Sequence, residues 1–238
     1  MIGVAGLPAA DVRTGRAVLA VEPDGHRWRV EVSDGTSIEA DGVVLATPAA
    51  AAAGLLAPLP GAAEAATLLA AVGYASVAIA VLAFPLAHLG RPLDRSGFLV
   101  PRVEGTALTA CSWSSTKWAH LAPDAADGTA VVRASTGRWG DDGALSLDDA
   151  DLVSRLLTDL ERTMAITGAP SEVRVNRWPT SFPQYAPGHL ERVDAVERAL
   201  PDGIALAGAA LRVVGVPACI RSGREAAARV LVANAPTR

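Results

Sequence analysis

The chain has 238 residues, half of them apolar, and a formal net charge of −4. That length supports one large domain or two small ones with a real core, and a mildly acidic chain without a basic run excludes nucleic acid as the expected partner. Cys111 and Cys219 lie far apart and no signal-peptide pattern opens the chain, so a disulfide framework is not expected and the cytoplasm is the expected compartment.

Residues 17–47 read as a β-meander. AVLAV runs into a turn at EPDG, RWRVEV alternates polar and apolar as a half-exposed strand does, and SDGT turns the chain into SIEA. DGVVLAT then reads as an apolar strand of the kind buried on both faces. Pro48 ends it, and AAAAAGLL is expected to be a short helix. From Ala65 to Ala87 no residue is charged, long enough to cross a bilayer at about 20 residues. Its alanines, the interruptions at Gly73, Tyr74, Ser76 and Pro85, and flanks without Arg or Lys anchors favour a helix end followed by a core strand, Tyr74–Phe84. No transmembrane helix is expected.

Ser96–Pro101, Thr106–Ser115 and Thr129–Gly137 continue as strands of an antiparallel sheet. SLDDADLVSRLLTDLERTMAITG predicts a helix over Ser146–Gly168, capped by Ser146 with Asp149 three residues on and ended by Gly168. Leu152, Val153, Leu156, Leu157 and Leu160 form its apolar stripe. EVRVNRW reads as another strand and HLERVDAVERAL as a second amphipathic helix. LAGAALRVVGVPACIRSGREAAARVLV closes the pattern with a strand at Leu206–Gly208, a loop, and a helix starting near Pro217. Ends of α/β character around an antiparallel middle read as one domain inserted into another.

That last unit would aim free N–H groups and the positive end of a helix dipole past a strand tip, a place that holds negatively polarised atoms. Taken alone, an ordinary strand–helix connection explains it as well. SWSSTKW and RWPTSFPQYAPGH concentrate aromatics beside prolines, which wall a flat apolar ligand or simply pack a core under a loop. The acidic first turn of DDADLVSRLL suits a helix dipole rather than a metal. His26, His88, His120 and His189 sit in unrelated contexts, and the chain carries no GxGxxG, Walker loop or metal-spaced Cys/His cluster.

GFLVPRVEG, TACSWSSTKWAHLAP, RWPTSFPQYAPGHLERV and LAGAALRVVGVPACIRSGREAA, taken in order, resemble the C-terminal portion of the oxygen-dependent protoporphyrinogen/coproporphyrinogen oxidases. These are FAD enzymes of the amine-oxidase-like fold. With VLAVEPDGHRWRV and EADGVVLATPAAAAAGLL the resemblance covers nearly the whole chain from Val12 onward.

The resemblance implies a mixed α+β / α/β chain: an incomplete FAD-binding domain over residues 1–56 and 190–238, and a substrate domain with an antiparallel sheet over 57–189. It implies FAD contacts at Val18, Trp178, Val214, Gly215 and Val216, with the closing helix aimed at the flavin's pyrimidine side. It places Phe98 and Leu99 against the substrate and assigns no side chain as catalytic acid or base, and no metal. The implied partners are a porphyrinogen and oxygen, hydride passing from the macrocycle to the flavin. The porphyrinogen is coproporphyrinogen III or protoporphyrinogen IX; the Ala-rich, Lys-poor composition of a GC-rich bacterial genome tilts the expectation toward the former.

Two departures stand out. Where the family has a glycine this chain has Val213, expected to strain a loop that needs positive φ or close approach to the ring; Leu211 replaces an aromatic. The family's GxGxxG unit, with its pyrophosphate site, is not in these residues. An alternative reading is therefore an inactive remnant, or one half of a split enzyme that needs a complementing N-terminal chain.

Overall fold

A computed structural model describes residues 11–123 and 128–233. The chain divides into two compact units, one of Met1–Val72 with Tyr185–Arg238 and the other of Gly73–Gln184.

In the first unit, β1 (Val18–Asp24), β2 (Arg27–Val32) and β3 (Ser37–Ala40) form the expected antiparallel meander. Its first turn is tighter than EPDG. Pairing continues to Asp24↔Arg27, leaving Gly25 and His26 as the turn, with Gly25 at φ +65°. A two-residue hairpin loop whose first residue has positive φ favours glycine there.

β4 (Val43–Leu45) leaves the meander and pairs in parallel with β10 (Ile204–Leu206), Val43 opposite Ile204 and Leu45 opposite Leu206. The expectation that β4 is buried on both faces does not hold: Leu45 is 6% exposed but Val44 is 37% exposed. A parallel strand is buried on both faces only where layers cover both. Helix α6 (Val216–Ala233) packs on β4 and β10, where Ala205, Ala207 and Ala226 make a small core with Val230. Trp28 of β2 is buried against the turn that precedes β10. A Cβ on Gly203 (φ +80°) would lie 2.7 Å from Trp28 Nε1, so that approach requires glycine. Helices α1 (Ala49–Leu56), α2 (Ala63–Ala70) and α5 (His189–Arg198) complete the unit, α2 packing on both α1 and α5.

The uncharged Ala65–Ala87 stretch resolves into the end of α2 and strand β5 (Tyr74–Pro85). Among the described residues no helix is long and apolar enough to cross a membrane.

The second unit is a five-stranded antiparallel sheet in the order β6 (Gly97–Leu99), β7 (Leu108–Trp113), β8 (Thr129–Thr136), β5, β9 (Glu172–Pro183). Alternation along β5 sends Ala78, Ala80, Leu82 and Phe84 to one face, where all four are fully buried. Helix α4 (Asp149–Met164) covers that face with Leu152, Leu156, Leu160 and Met164, and Val153 and Leu157 pack at its margin.

The predicted stripe is right, but the helix is shorter than Ser146–Gly168. Ser146 lies in a 3₁₀ turn and its hydroxyl donates to Gly143 O. Asp148 caps instead, accepting from Asp151 N at 2.8 Å, because a carboxylate placed three residues upstream reaches the free N–H. The stop comes at Ala165 (φ 52°), whose N–H bonds Glu161 O at 2.9 Å. Gly168 serves packing: a Cβ there would sit 2.3 Å from His88 Nδ1. A polar anchor crosses the core, the Asp159 carboxylate accepting from Leu108 N at 2.9 Å.

Candidate functional site

In the first unit the site is the loop between β10 and α6. β10 is buried throughout; Gly208 then takes φ +121° and its N–H is held by Ser222 Oγ of α6 at 3.1 Å. The next residues are tied down in turn. Tyr185 Oη donates to Ala209 O, and His189 Nε2 lies 2.6 Å from Leu211 O. The Arg212 guanidinium bonds Asp194 at 2.7 Å and Glu197 at 2.9 Å, both on α5. The hydrogen bonds it donates to Asp194 and then Glu197 hold Arg212 still more firmly in its charged form.

Past Arg212 these ties stop. Val213, Val214 and Val216 are 51%, 37% and 57% exposed. Gly215 has φ +124°, and among the described residues, its chain neighbours aside, no atom lies within 4 Å of where its Cβ would be. The Cys219 N–H bonds Gly215 O at 3.0 Å and Pro217 has none to give, so Val216 and Ala218 present unbonded N–H groups among the described residues. An apolar ledge beside the positive end of an eighteen-residue helix suits a flat ring with a negatively polarised edge.

The expected strain at Val213 is not found. Positive φ among non-glycine residues is confined to Ala165 and Thr180 among the described residues; the left-handed turns of the loop fall on Gly208 and Gly215. Val213→Gly is therefore expected to lower stability by about 0.5–1 kcal/mol through added freedom of the unfolded chain, read from the midpoint of urea unfolding. Leu211, which stands where the family has an aromatic, is 5% exposed and packs inward. Val18, at the start of β1 opposite Val32, is 44% exposed.

In the second unit, register fixes what the face away from α4 presents. One row across the strands is Leu99, Ala110, Ser135, Ile79 and Asn176; the next is Gly97, Ser112, Arg133, Val81 and Arg174. Trp178, opposite Val77, stands 54% exposed on the same face. It lies just before an irregular stretch where Thr180 (φ 42°) donates its N–H to Ser76 Oγ at 3.0 Å. Leu99 is 83% exposed, whereas Phe98 points to the opposite face and meets Trp113 edge-on at 6.4 Å. The two residues thus belong to different sides of β6. Both Phe98 and Leu99 nevertheless border a cleft of about 470 Å³ with Arg91, Arg95 and Arg162.

The cations of the open face differ in their ties. Lys117 Nζ bonds Ser112 Oγ at 3.2 Å and Arg174 pairs with Glu172 at 2.9 Å. Arg133 is exposed and has no hydrogen-bond or ion-pair partner among the described residues. Cys111, on the α4 side, is no candidate nucleophile: burial pushes its thiol up to about 12.

Sequence reasoning passed over Arg133, Tyr185, His189 and Arg212. PQYAPGH held the signal for two of them, but a lone histidine in a sequence does not show that its ring reaches a carbonyl twenty-two residues on.

Comparison with known proteins adds an independent line. Residues 3–231 match the family described as flavin containing amine oxidoreductase. The chain is 34% identical over 228 residues to a coproporphyrinogen III oxidase of Bacillus subtilis strain 168, covering 94% of this chain and 47% of that protein. It is 26% identical to the chloroplastic protoporphyrinogen oxidase 1 of Arabidopsis thaliana, covering 90% of this chain and 41% of the other. A solved structure from Exiguobacterium sp. 255-15, described as a candidate protoporphyrinogen oxidase, is similar with a TM-score of 0.73 and 30% identity over 88% of this chain and 45% of its own. The chain spans about half the length of these relatives.

Proposed function

The chain belongs to the flavin containing amine oxidoreductases, and on that premise we propose that it forms the C-terminal half of an FAD- and oxygen-dependent oxidase of coproporphyrinogen III, acting in heme biosynthesis in the cytoplasm. The observation that carries the reading is the 34% identity over 94% of the chain to a protein named for that activity. The lower identity to the plant protoporphyrinogen enzyme, 26%, makes protoporphyrinogen the less favoured substrate. In this reading the unit containing α6 belongs to the FAD-binding domain and Gly73–Gln184 is the substrate domain.

The residues present fit the ring end of a flavin. The space over Gly215, the N–H groups at the start of α6 and the exposed valines make a ledge for a flat heterocycle; Val18, Val214, Gly215 and Val216 are the flavin contacts proposed in this unit, and Trp178 is the contact proposed in the substrate domain. Bound there, FAD supplies the electron-accepting chemistry and oxygen its reoxidation. The protein's own residues bind and orient. The start of α6 favours negative charge at the ring edge it faces.

Leu99, Ile79, Val77 and Trp178 offer apolar surface to a macrocycle, and Phe98 supports that layer from behind through Trp113. Arg133, without an ion-pair partner among the described residues, is then a cation available to a propionate. Strands lie ~4.8 Å apart, so Arg133 and Arg174 are spaced to take carboxylates at different points of one macrocycle edge. Coproporphyrinogen carries more propionates than protoporphyrinogen. Arg133→Ala is therefore expected to raise KM for coproporphyrinogen about tenfold with kcat little changed, as loss of uniform binding does, and to affect protoporphyrinogen less. Equal KM values for the variant and the parent would remove Arg133 from the reading.

The test of the function itself is a fluorescence assay for porphyrin formation once a dinucleotide-binding segment is supplied. A second reading, an inactive remnant or one half of a split enzyme, is favoured by the lack of GxGxxG within these residues. The genomic sequence just upstream separates them: an in-frame glycine-rich strand–turn–helix there means a single polypeptide.

A further inference from the structure

We propose that Tyr185 and His189 are positioning residues, a two-point clamp that sets the shape of the β10–α6 loop through its backbone carbonyls. The Tyr185 hydroxyl donates to Ala209 O, and His189 Nε2 lies 2.6 Å from Leu211 O, so alternate carbonyls of one turn are gripped. The two rings stack at 4.3 Å between centroids and 18° between planes, which makes the clamp one rigid body. A carbonyl only accepts, so Nε2 carries the hydrogen of the neutral ring. Nδ1 is then a bare acceptor, and it is buried without a partner among the described residues.

A buried polar atom left unpaired has a cost, and it is accepted here where His189, 5% exposed, holds the loop. The grip ends where function begins. Ala209 to Arg212 are fixed by side chains of the segment Tyr185–Glu197, while Val213 to Val216 stand open. A shape fixed just upstream is what presents the Gly215 turn and the first N–H groups of α6 in one arrangement, without side chains crowding the ledge itself. Preorganised sites of this kind rest on supporting hydrogen bonds.

The link from clamp to flavin rests on the proposed function; the clamp itself does not. Three variants of the 238-residue chain decide it. Tyr185→Phe removes only the hydroxyl, His189→Leu removes the ring donor, and His189→Gln puts an amide N–H back within reach of Leu211 O. Nitrogen-15 NMR of the parent is expected to show His189 as the Nε2–H tautomer. Hydrogen exchange of the amides from 209 to 215 is expected to speed up about tenfold in Tyr185→Phe and His189→Leu, the loss of about one hydrogen bond, and to stay near parental in His189→Gln.

With a dinucleotide-binding segment supplied, the FAD dissociation constant should rise about tenfold in the same two variants, with KM for porphyrinogen unmoved and His189→Gln restoring affinity. An Nδ1–H tautomer, or unaltered exchange in both Tyr185→Phe and His189→Leu, overturns the clamp. Faster exchange with unaltered FAD affinity overturns its role toward the flavin. If the complemented parent binds no FAD, the functional reading fails, while the NMR and exchange results still decide the clamp.

Discussion

Leu156→Ala is expected to cost about 2–5 kcal/mol of stability. Leu156 is fully buried between Leu152 and Leu160 on α4, facing the aliphatic layer of Ala78, Ala80, Leu82 and Val132. Small residues on β5 and β8 let the helix sit close to the sheet, so its leucines supply much of the layer's volume. Removing one leaves a cavity that the alanines opposite cannot fill, and the two helix neighbours are themselves pinned at 0% exposure. The lost transfer energy and the residual cavity then add rather than offset. Trp113, 2% exposed in the same core, reports the transition by fluorescence during urea unfolding. Val153→Ala, at the partly buried margin, should cost less than half as much. A change below about 0.5 kcal/mol at Leu156 is the size of a surface substitution and would mean that α4 does not pack on this sheet.

Much of this architecture was legible in the sequence, and the failures share a cause. The α4 stripe follows from period alone, since leucines four apart must share a face whatever they meet. The ends of α4 were missed by three or four residues because several side chains compete for the caps. Ser146, Asp148 and Asp149 are all able to cap, and only the backbone around Asp148 (ψ 173°) aims a carboxylate at Asp151 N. β4 looked like an interior strand because VVL is uniformly apolar, yet burial depends on what covers each face, and that is set by other segments.

The candidate site divides the same way. The β10–α6 unit was visible from its glycine, proline and apolar run. The clamp on it was not, because its acceptors are backbone carbonyls, which look alike in every sequence. Arg133 shows the remaining limit: VVRAST alternates plainly, but whether arginine points into a cation-free row or beside Lys117 and Arg174 depends on strand order, and β8 lies between β7 and β5. At Val213 the family pattern suggested a strained backbone, and the chain instead places its positive φ on Gly208 and Gly215. Sequence position alone does not say which residue of a loop turns left-handed.

The second large effect is on flavin retention. The 238 residues expressed by themselves are expected to lose FAD on gel filtration, because the ledge proposed for the ring end is accompanied by no glycine-rich loop within these residues to cradle the pyrophosphate. A ring edge against one helix N-terminus is worth roughly 0.3–1 kcal/mol of charge stabilisation at an exposed site, far short of the ~8 kcal/mol of a micromolar complex. Supplying the dinucleotide-binding half of a relative, fused or in trans, adds the phosphate contacts and should give a yellow protein that oxidises coproporphyrinogen to a fluorescent porphyrin. In that complemented protein Val213→Gly separates two effects. With no positive φ to relieve, any rise in rate or flavin affinity comes from closer approach of the backbone to the ring, and it should appear together with the small loss of stability already predicted. Flavin bound without porphyrin in either version would sink the oxidase reading and leave the remnant reading standing. A yellow 238-residue chain whose flavin spectrum survives gel filtration would show that the α6 ledge, rather than a pyrophosphate cradle, dominates the binding.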